Sequence, residues 1–335
     1  MTSETAAHLN TQTLIGYTDK RGHAWHYRAD LQGAEPNHYP TAIPVEDVVR
    51  RLFHWQPVTG PVQTTIGDVT YTDHGRKVIV RPDTAQVLGT FKAGYQVHRY
   101  DEWLLENAAT IMDTNELKVA SAGLLKGGAV AWVQFELEDT LDVSNVEFRP
   151  FLTAATSLDG SIATTYQCGV QVVVCDNTLS AALGEGTTNR VKIRHSKHSL
   201  NRITDVRDAL GLVYETADAF AAEITELTEQ VVTDRQWKAF LDAHTGLTAD
   251  LDGKAVAHAR RRAEELDALW KTDERVAPWA GTAWGVLAAT NTHLHHVSTV
   301  RGADRVTRNT ERMVLGMRQI EASGVKTLKT LASVR

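Results

Sequence analysis

The sequence is poor in cysteine, and the two residues it has cannot pair with each other. Cys168 and Cys175 stand seven residues apart in a chain of 335. If that segment is one strand, they fall on opposite faces about 23 Å apart, whereas a disulfide needs Cα atoms within roughly 7 Å. Asn-x-Ser/Thr acceptor sites are missing altogether. Residues 1–10 hold Glu4, no lysine or arginine and no apolar run, unlike a secretory leader. Long hydrophobic runs are lacking as well. Apolar runs in the central β segment, such as 172–175, fall far short of the ~20 residues needed to cross a bilayer. These gaps exclude a disulfide-built secreted module and predict reduced thiols, a cytoplasmic location and no membrane partner.

Catalytic signatures are absent too. Gly123-Leu124-Leu125-Lys126-Gly127-Gly128 has neither the spacing of a phosphate loop nor the Ser/Thr that would hold magnesium. There is no nucleophile elbow, no His-Glu-x-x-His and no paired CxxC. Cys175 could be imagined as a nucleophile with His195 or His198 as its base, but a buried structural cysteine is the simpler reading. His293 and His296, with His295 between them, could turn two imidazoles toward one metal. No carboxylate stands at matching spacing, so they read as an exposed or interfacial cluster, as do His23 and His26. The expectation is therefore a protein with no catalytic residues, no cofactor and no metal.

What is present is a globular composition, 42% hydrophobic and 23% charged, with a net charge of -6. That balance argues against coating nucleic acid by bulk charge. It does not exclude a local basic groove, because salt confines fields to about 10 Å. Two segments are locally basic. Residues 190–202 carry Arg190, Lys192, Arg194, Lys197 and Arg202 with His195 and His198 among them, and 301–335 hold eight basic residues against three acidic ones, Arg305 and Arg308 included. Between them, 203–231 is acidic.

The pattern predicts an α+β fold: an antiparallel β-sheet of hairpins with helix cover, followed by a mainly helical C-terminal half. The α+β domain is expected over 1–200 with its sheet at 117–179. The helical region is expected over 201–335, either separate or packed on the first. Pro44 opens a helix with Val45, Val48, Val49, Leu52 and Phe53 at helical spacing. Residues 56–98 read as short strands and turns, and Asp101 begins a helix with Trp103, Leu104, Asn107, Ala108, Ile111 and Met112 on its buried stripe. In 129–137, Ala129, Ala131, Val133, Phe135 and Leu137 share one apolar face; Val130, Trp132, Gln134 and Glu136 share the other, expected to be partly exposed. Gly127-Gly128 supplies a tight turn back to 117–124, and Asp159-Gly160 turns a second hairpin whose return strand puts Ile162, Tyr166, Cys168, Val170, Val172 and Val174 on one face. A short helix is expected at 178–183, and longer ones at about 203–231, 234–243, 254–272, 282–299 and 303–321.

The run from Phe151 through Ser157, Asp159, Gly160 and Ser161 to Cys175, Asn177, Thr178 and Leu179 resembles the core of the DUF932 family of phage/plasmid-like proteins of unknown function. His23-Ala24-Trp25-His26, Lys192-Ile193-Arg194-His195 and Gly281-Thr282-Ala283-Trp284-Gly285 match in order. The resemblance implies carriage by a phage, prophage or plasmid and brings no established reaction. Family members often have His before the Asp-Gly turn, where this chain has Leu158. In outline, the order of elements is similar to phage single-strand annealing proteins. The expected function is a non-enzymatic homo-oligomer, such as a ring, that binds or anneals single-stranded nucleic acid in a bacterial cytoplasm. Arg190, Lys192, Arg194, Lys197, Arg202, Arg305 and Arg308 would neutralise phosphates while Trp132 and Tyr166 stack on bases. The alternative is a structural or host-interaction assembly protein in which basic and acidic segments pair between subunits.

Overall fold

A computed structural model describes residues 3–23, 27–112, 118–136, 141–172, 177–179, 190–197, 199, 212–247 and 253–299. In chain order the strands are β1 (Thr13–Ile15), β2 (Val58–Ile66), β3 (Val69–Arg81), β4 (Gln86–Lys92), β5 (Val119–Leu125), β6 (Val130–Glu136), β7 (Leu141–Val143), β8 (Val146–Ser157), β9 (Thr164–Val172), β10 (Asn177–Leu179) and β11 (Arg190–Ile193). The α-helices are α1 (Ser3–Thr11), α2 (Thr18–Arg21), α3 (Val45–Arg51), α4 (Asn107–Met112), α5 (Leu212–Glu229), α6 (Asp234–Thr245), α7 (Gly253–Thr272) and α8 (Ala283–Thr292). The chain is α+β and its sheets are antiparallel. It forms two compact units: one from Met1–Glu138, Pro150–Gly169 and Thr188–Tyr214, the other from Asp139–Arg149, Val170–Thr187 and Glu215–Arg335.

The first unit is built on the order β1-β5-β6-β8-β9, with β11 on the outer side of β9. The β5–β6 hairpin forms as its sequence predicts. Lys126, Gly127 and Gly128 all have positive φ, a run that two glycines make tolerable. The turn is then tied down from outside the hairpin: Arg81 donates to the Gly127 carbonyl at 3.0 Å and the Tyr100 hydroxyl to the Gly128 carbonyl at 2.6 Å. The second hairpin turns at Asp159-Gly160, where Asp159 Oδ1 accepts from the Ser161 N–H at 2.8 Å. The sheet is wider than four strands, because β1 pairs with β5 and β11 with β9. Both are too short for alternation to reveal.

One face of this sheet carries Ala122, Leu124, Ala131, Val133, Phe135, Leu152, Ala154, Tyr166 and Ile193. They share a core with Val48, Leu52 and Phe53 beside α3, and with Trp103, Leu104, Leu105, Ala108 and Ile111. The last group straddles α4 and a preceding π turn, Glu102–Glu106, in place of one regular helix. The other face departs from expectation. Every residue of β6 is buried, including Trp132, Gln134 and Glu136 at 2%, 3% and 5% exposure, so this face is enclosed rather than partly exposed. Trp132 packs closely against its cross-strand neighbour Gly123, where a Cβ would stand 2.0 Å from the indole.

Residues 56–98 form longer strands than the sequence suggested. The order is β2-β3-β4, and beyond β4 the first two strands continue as a two-stranded ribbon from Val62↔Asp73 to Ile66↔Val69. β-Branched residues and cross-strand Thr65–Thr70 and Gln63–Thr72 contacts at 3.2 Å favour that extension.

In the second unit, Phe220, Ile224, Trp237, Phe240, Leu266, Trp270, Trp284 and Val286 form a helical core with Val146 and Phe148. Thr233 and Gln236 make a reciprocal capping box that starts α6, and Gly246 at φ 73° ends it. Trp237 stacks on Trp270 at 4.2 Å while its Nε1 donates to Asp267 at 3.1 Å. The helix expected at 178–183 is replaced, over the part described, by β10, which pairs with Val170–Val172. His293 corrects a second expectation. It is 8% exposed, and its Nε2 lies 2.8 Å from Glu265 Oε2, so it is a buried, paired residue at the start of a π turn, His293–Val297. Residues 303–321, Cys175, His198 and the side chain of His295 lie outside the described residues.

Candidate nucleic-acid interface

β11 turns a basic sequence into a one-sided edge. Val191 and Ile193 pack on the core, while the intervening Lys192 and the next alternate residue, Arg194, are exposed. Lys197 is exposed just beyond. None of these three cations forms an ion pair among the described residues. The backbone that carries them is fixed. Ser199 Oγ donates to the Arg194 carbonyl at 2.9 Å and accepts from the Ser196 N–H at 3.0 Å.

His195, between the cations, is the anchor. Its ring lies in a continuous stack: Phe91 on Tyr95 at 4.0 Å, Tyr95 on His195 at 4.9 Å, His195 on His98 at 3.9 Å, and His98 on Trp103 at 3.7 Å. Two threonine hydroxyls cross-link the stack to the sheet. Thr164 Oγ1 is 2.6 Å from His98 Nδ1 and 2.7 Å from Thr156 Oγ1, and His195 Nε2 lies 3.3 Å from Thr156. His195 Nδ1 is 3.1 Å from the Gln96 carbonyl, which an Nδ1–H would satisfy.

Burial favours the neutral imidazoles. Desolvation, reinforced by the neighbouring His195, lowers His98 to about 3; desolvation lowers His195 to about 4, opposed by the bond to Gln96. Burial likewise raises the Tyr95 phenol, and pushes the Cys168 thiol up to about 12, so this cysteine is an inert core residue. No carboxylate hydrogen-bonds to either imidazole among the described residues, so the cluster lacks the base-orienting partner of a catalytic triad. What the arrangement does is hold a cationic strand edge in place.

The sequence-predicted site is thus brought together in part. Lys192, Arg194 and Lys197 share one exposed edge. Arg190 begins the same strand, with its side chain outside the described residues, as are Arg202, Arg305 and Arg308. Trp132 and Tyr166 cannot stack on bases as placed. Tyr166 is fully buried in the core with its hydroxyl donating to the Trp103 carbonyl at 2.6 Å, and Trp132 is pressed against Gly123. Tyr95, His98, Thr156 and Thr164 were missed. The signal available for Tyr95 and His98 was the aromatic density of 91–103, which periodicity alone reads as turn and helix; nothing in the sequence marked Thr156 and Thr164.

No curated protein and no solved structure matches this chain. The model of a family described as a domain of unknown function, DUF932, matches residues 87–314. That span includes the ring stack, the enclosed sheet face and the basic edge. It covers well over half of the sequence, and the chain belongs to the DUF932 family.

Proposed function

We propose that this protein is a phage- or plasmid-encoded, non-enzymatic, self-associating protein that binds single-stranded nucleic acid in recombination or replication. One observation carries the reading: Lys192, Arg194 and Lys197 are exposed and unpaired among the described residues, on an edge that the His195 stack and Ser199 hold rigid. Cations already fixed in place lose little freedom on meeting a phosphate backbone, and their counterions are released. In this reading the edge tracks phosphates, and the aromatic rings of 91–103 serve as its foundation.

The test is fluorescence anisotropy with a single-stranded oligonucleotide, titrated from low to physiological salt. Binding should weaken with a log–log slope of about 0.7 per phosphate contact, and a Lys192→Glu, Arg194→Glu, Lys197→Glu variant should lose affinity and flatten that slope by roughly 2. Absence of binding to DNA or RNA at micromolar protein would overturn the proposal.

A further inference from the structure

The second unit exposes two helix surfaces of opposite sign. α5 carries Glu215, Asp218, Glu223, Glu226 and Glu229 and no Lys, Arg or His. Its Phe220 and Ile224 turn into the helical core, while Asp218, Glu226 and Glu229 are exposed. The first half of α7, 253–262, holds Lys254, His258, Arg260, Arg261 and Arg262 and no carboxylate. All five are exposed, whereas Leu266 and Trp270 pack inward. Arg261 pairs with Glu265 at 2.8 Å. Asp218, Glu226, Glu229, Lys254, Arg260 and Arg262 form no ion pair among the described residues.

Each surface is unfavourable alone. Glu223, Glu226 and Glu229 recur every third residue, which sets like charges side by side on a helix. They crowd the C-terminal half of α5, whose last turn has no cation, while α7 crowds its cations into the N-terminal half. Both arrangements oppose the helix dipole, and an oppositely charged surface laid alongside would relieve both. The two also fit each other. Asp218 to Glu226 and Lys254 to Arg262 each span eight residues, about 12 Å of helix. Ala222 and Ala257, exposed among the charges, leave room for close approach. A nucleic-acid strand suits α7 less well, because Glu264, Glu265 and Asp267 follow its cations along the helix.

We propose that α5 of one copy of the chain docks on the N-terminal half of α7 of a second copy, its carboxylates against Lys254, Arg260 and Arg262. The inference rests on the self-association in the proposed function and gives it a surface. Because the two surfaces differ, each copy accepts one neighbour and offers itself to another.

The experiment is sedimentation velocity on the full chain without nucleic acid. Wild type should associate at micromolar protein in low salt and come apart as salt rises. Lys254→Glu with Arg262→Glu should weaken association by about tenfold or more, and so should Asp218→Lys with Glu226→Lys. The chain with all four changes reverses both surfaces without altering net charge, and it should associate like wild type. Mixing the two double variants should also restore assembly, which shows that both still fold. A monomeric wild type, double variants that assemble unchanged, or a fourfold variant that stays apart would each overturn the interface. So would loss of oligonucleotide binding in Lys254→Glu, Arg262→Glu with sedimentation unchanged, since the α7 cations would then serve nucleic acid. With no oligonucleotide in the cell, failure of the interface leaves the phosphate-binding edge of β11 standing.

Discussion

His98 and His195 lie face to face, ring centroids 3.9 Å apart and planes within 14°. Both sit against the hydroxyl of Thr164, at 2.6 Å and 3.4 Å. Protonating either would bury a cation beside a second imidazole, and no carboxylate hydrogen-bonds to them among the described residues. The pair is therefore a structural joint that works only when neutral.

This sets the acid stability. Both folded-state values, about 3 and about 4, lie below the ordinary histidine value of 6.5. Between those limits the unfolded chain binds more protons, so the stability present above about pH 6.5 is lost as pH falls toward 4. Each group contributes at most about 1.4 kcal/mol per pH unit. Urea unfolding at pH 7, 6 and 5 should show the decline. His195→Phe, which keeps a ring in the stack but cannot titrate, should lower the slope by about one proton. An unchanged slope would exclude His195 from the effect.

Tyr166 is the second lever on the same region. Its hydroxyl donates at 2.6 Å to the Trp103 carbonyl, inside the π turn that places Trp103 under His98. Removing the hydroxyl strands a buried acceptor without changing packing. Tyr166→Phe is expected to cost about 1–2 kcal/mol in chemical denaturation. It should leave oligonucleotide binding intact, because Tyr166 shares the core face with Val191 and Ile193 while Lys192 lies on the opposite face of the sheet.

Legibility tracked how local the cause was. The β5–β6 hairpin was readable because alternation and Gly127-Gly128 are both local, and so were α6 and α7, expected at about 234–243 and 254–272 and found at Asp234–Thr245 and Gly253–Thr272. The burial of Trp132 was not readable. Alternation shows that a strand has two faces but not whether the second is covered. Likewise the stack joins residues 91–103 to His195 through tertiary contact alone, and neither spacing nor propensity encodes it. The basic segment was visible as charge, whereas its division into inward Val191 and Ile193 and outward Lys192 and Arg194 needed the register with β9.

Gly123 tests the account of the enclosed face. Its ideal Cβ would meet the Trp132 indole at 2.0 Å, so Gly123→Ala forces the ring or the strand to move. A loss of about 1–3 kcal/mol is expected. The shorter ring of Trp132→Phe removes the clashing atoms, so the double variant should be more stable than the sum of the singles by at least about 0.5 kcal/mol. Strict additivity would show that the glycine matters for backbone reasons rather than for the indole.

The ribbon tip makes the opposite prediction. Ile66 and Val69 face each other across the β2–β3 turn and are 67% and 53% exposed. The ribbon also lies before the residues matched by the family model, which begin at 87. Threonine keeps the β-branched shape that suits a strand, so Ile66→Thr with Val69→Thr removes apolar surface without disturbing the backbone. Unfolding free energy should change by no more than about 0.5 kcal/mol, as for surface substitutions generally. Sedimentation on the same samples gives the result a second use. If the variant loses stability together with subunit association, these side chains are buried in an assembly; if neither changes, the tip plays no part in holding copies of the chain together.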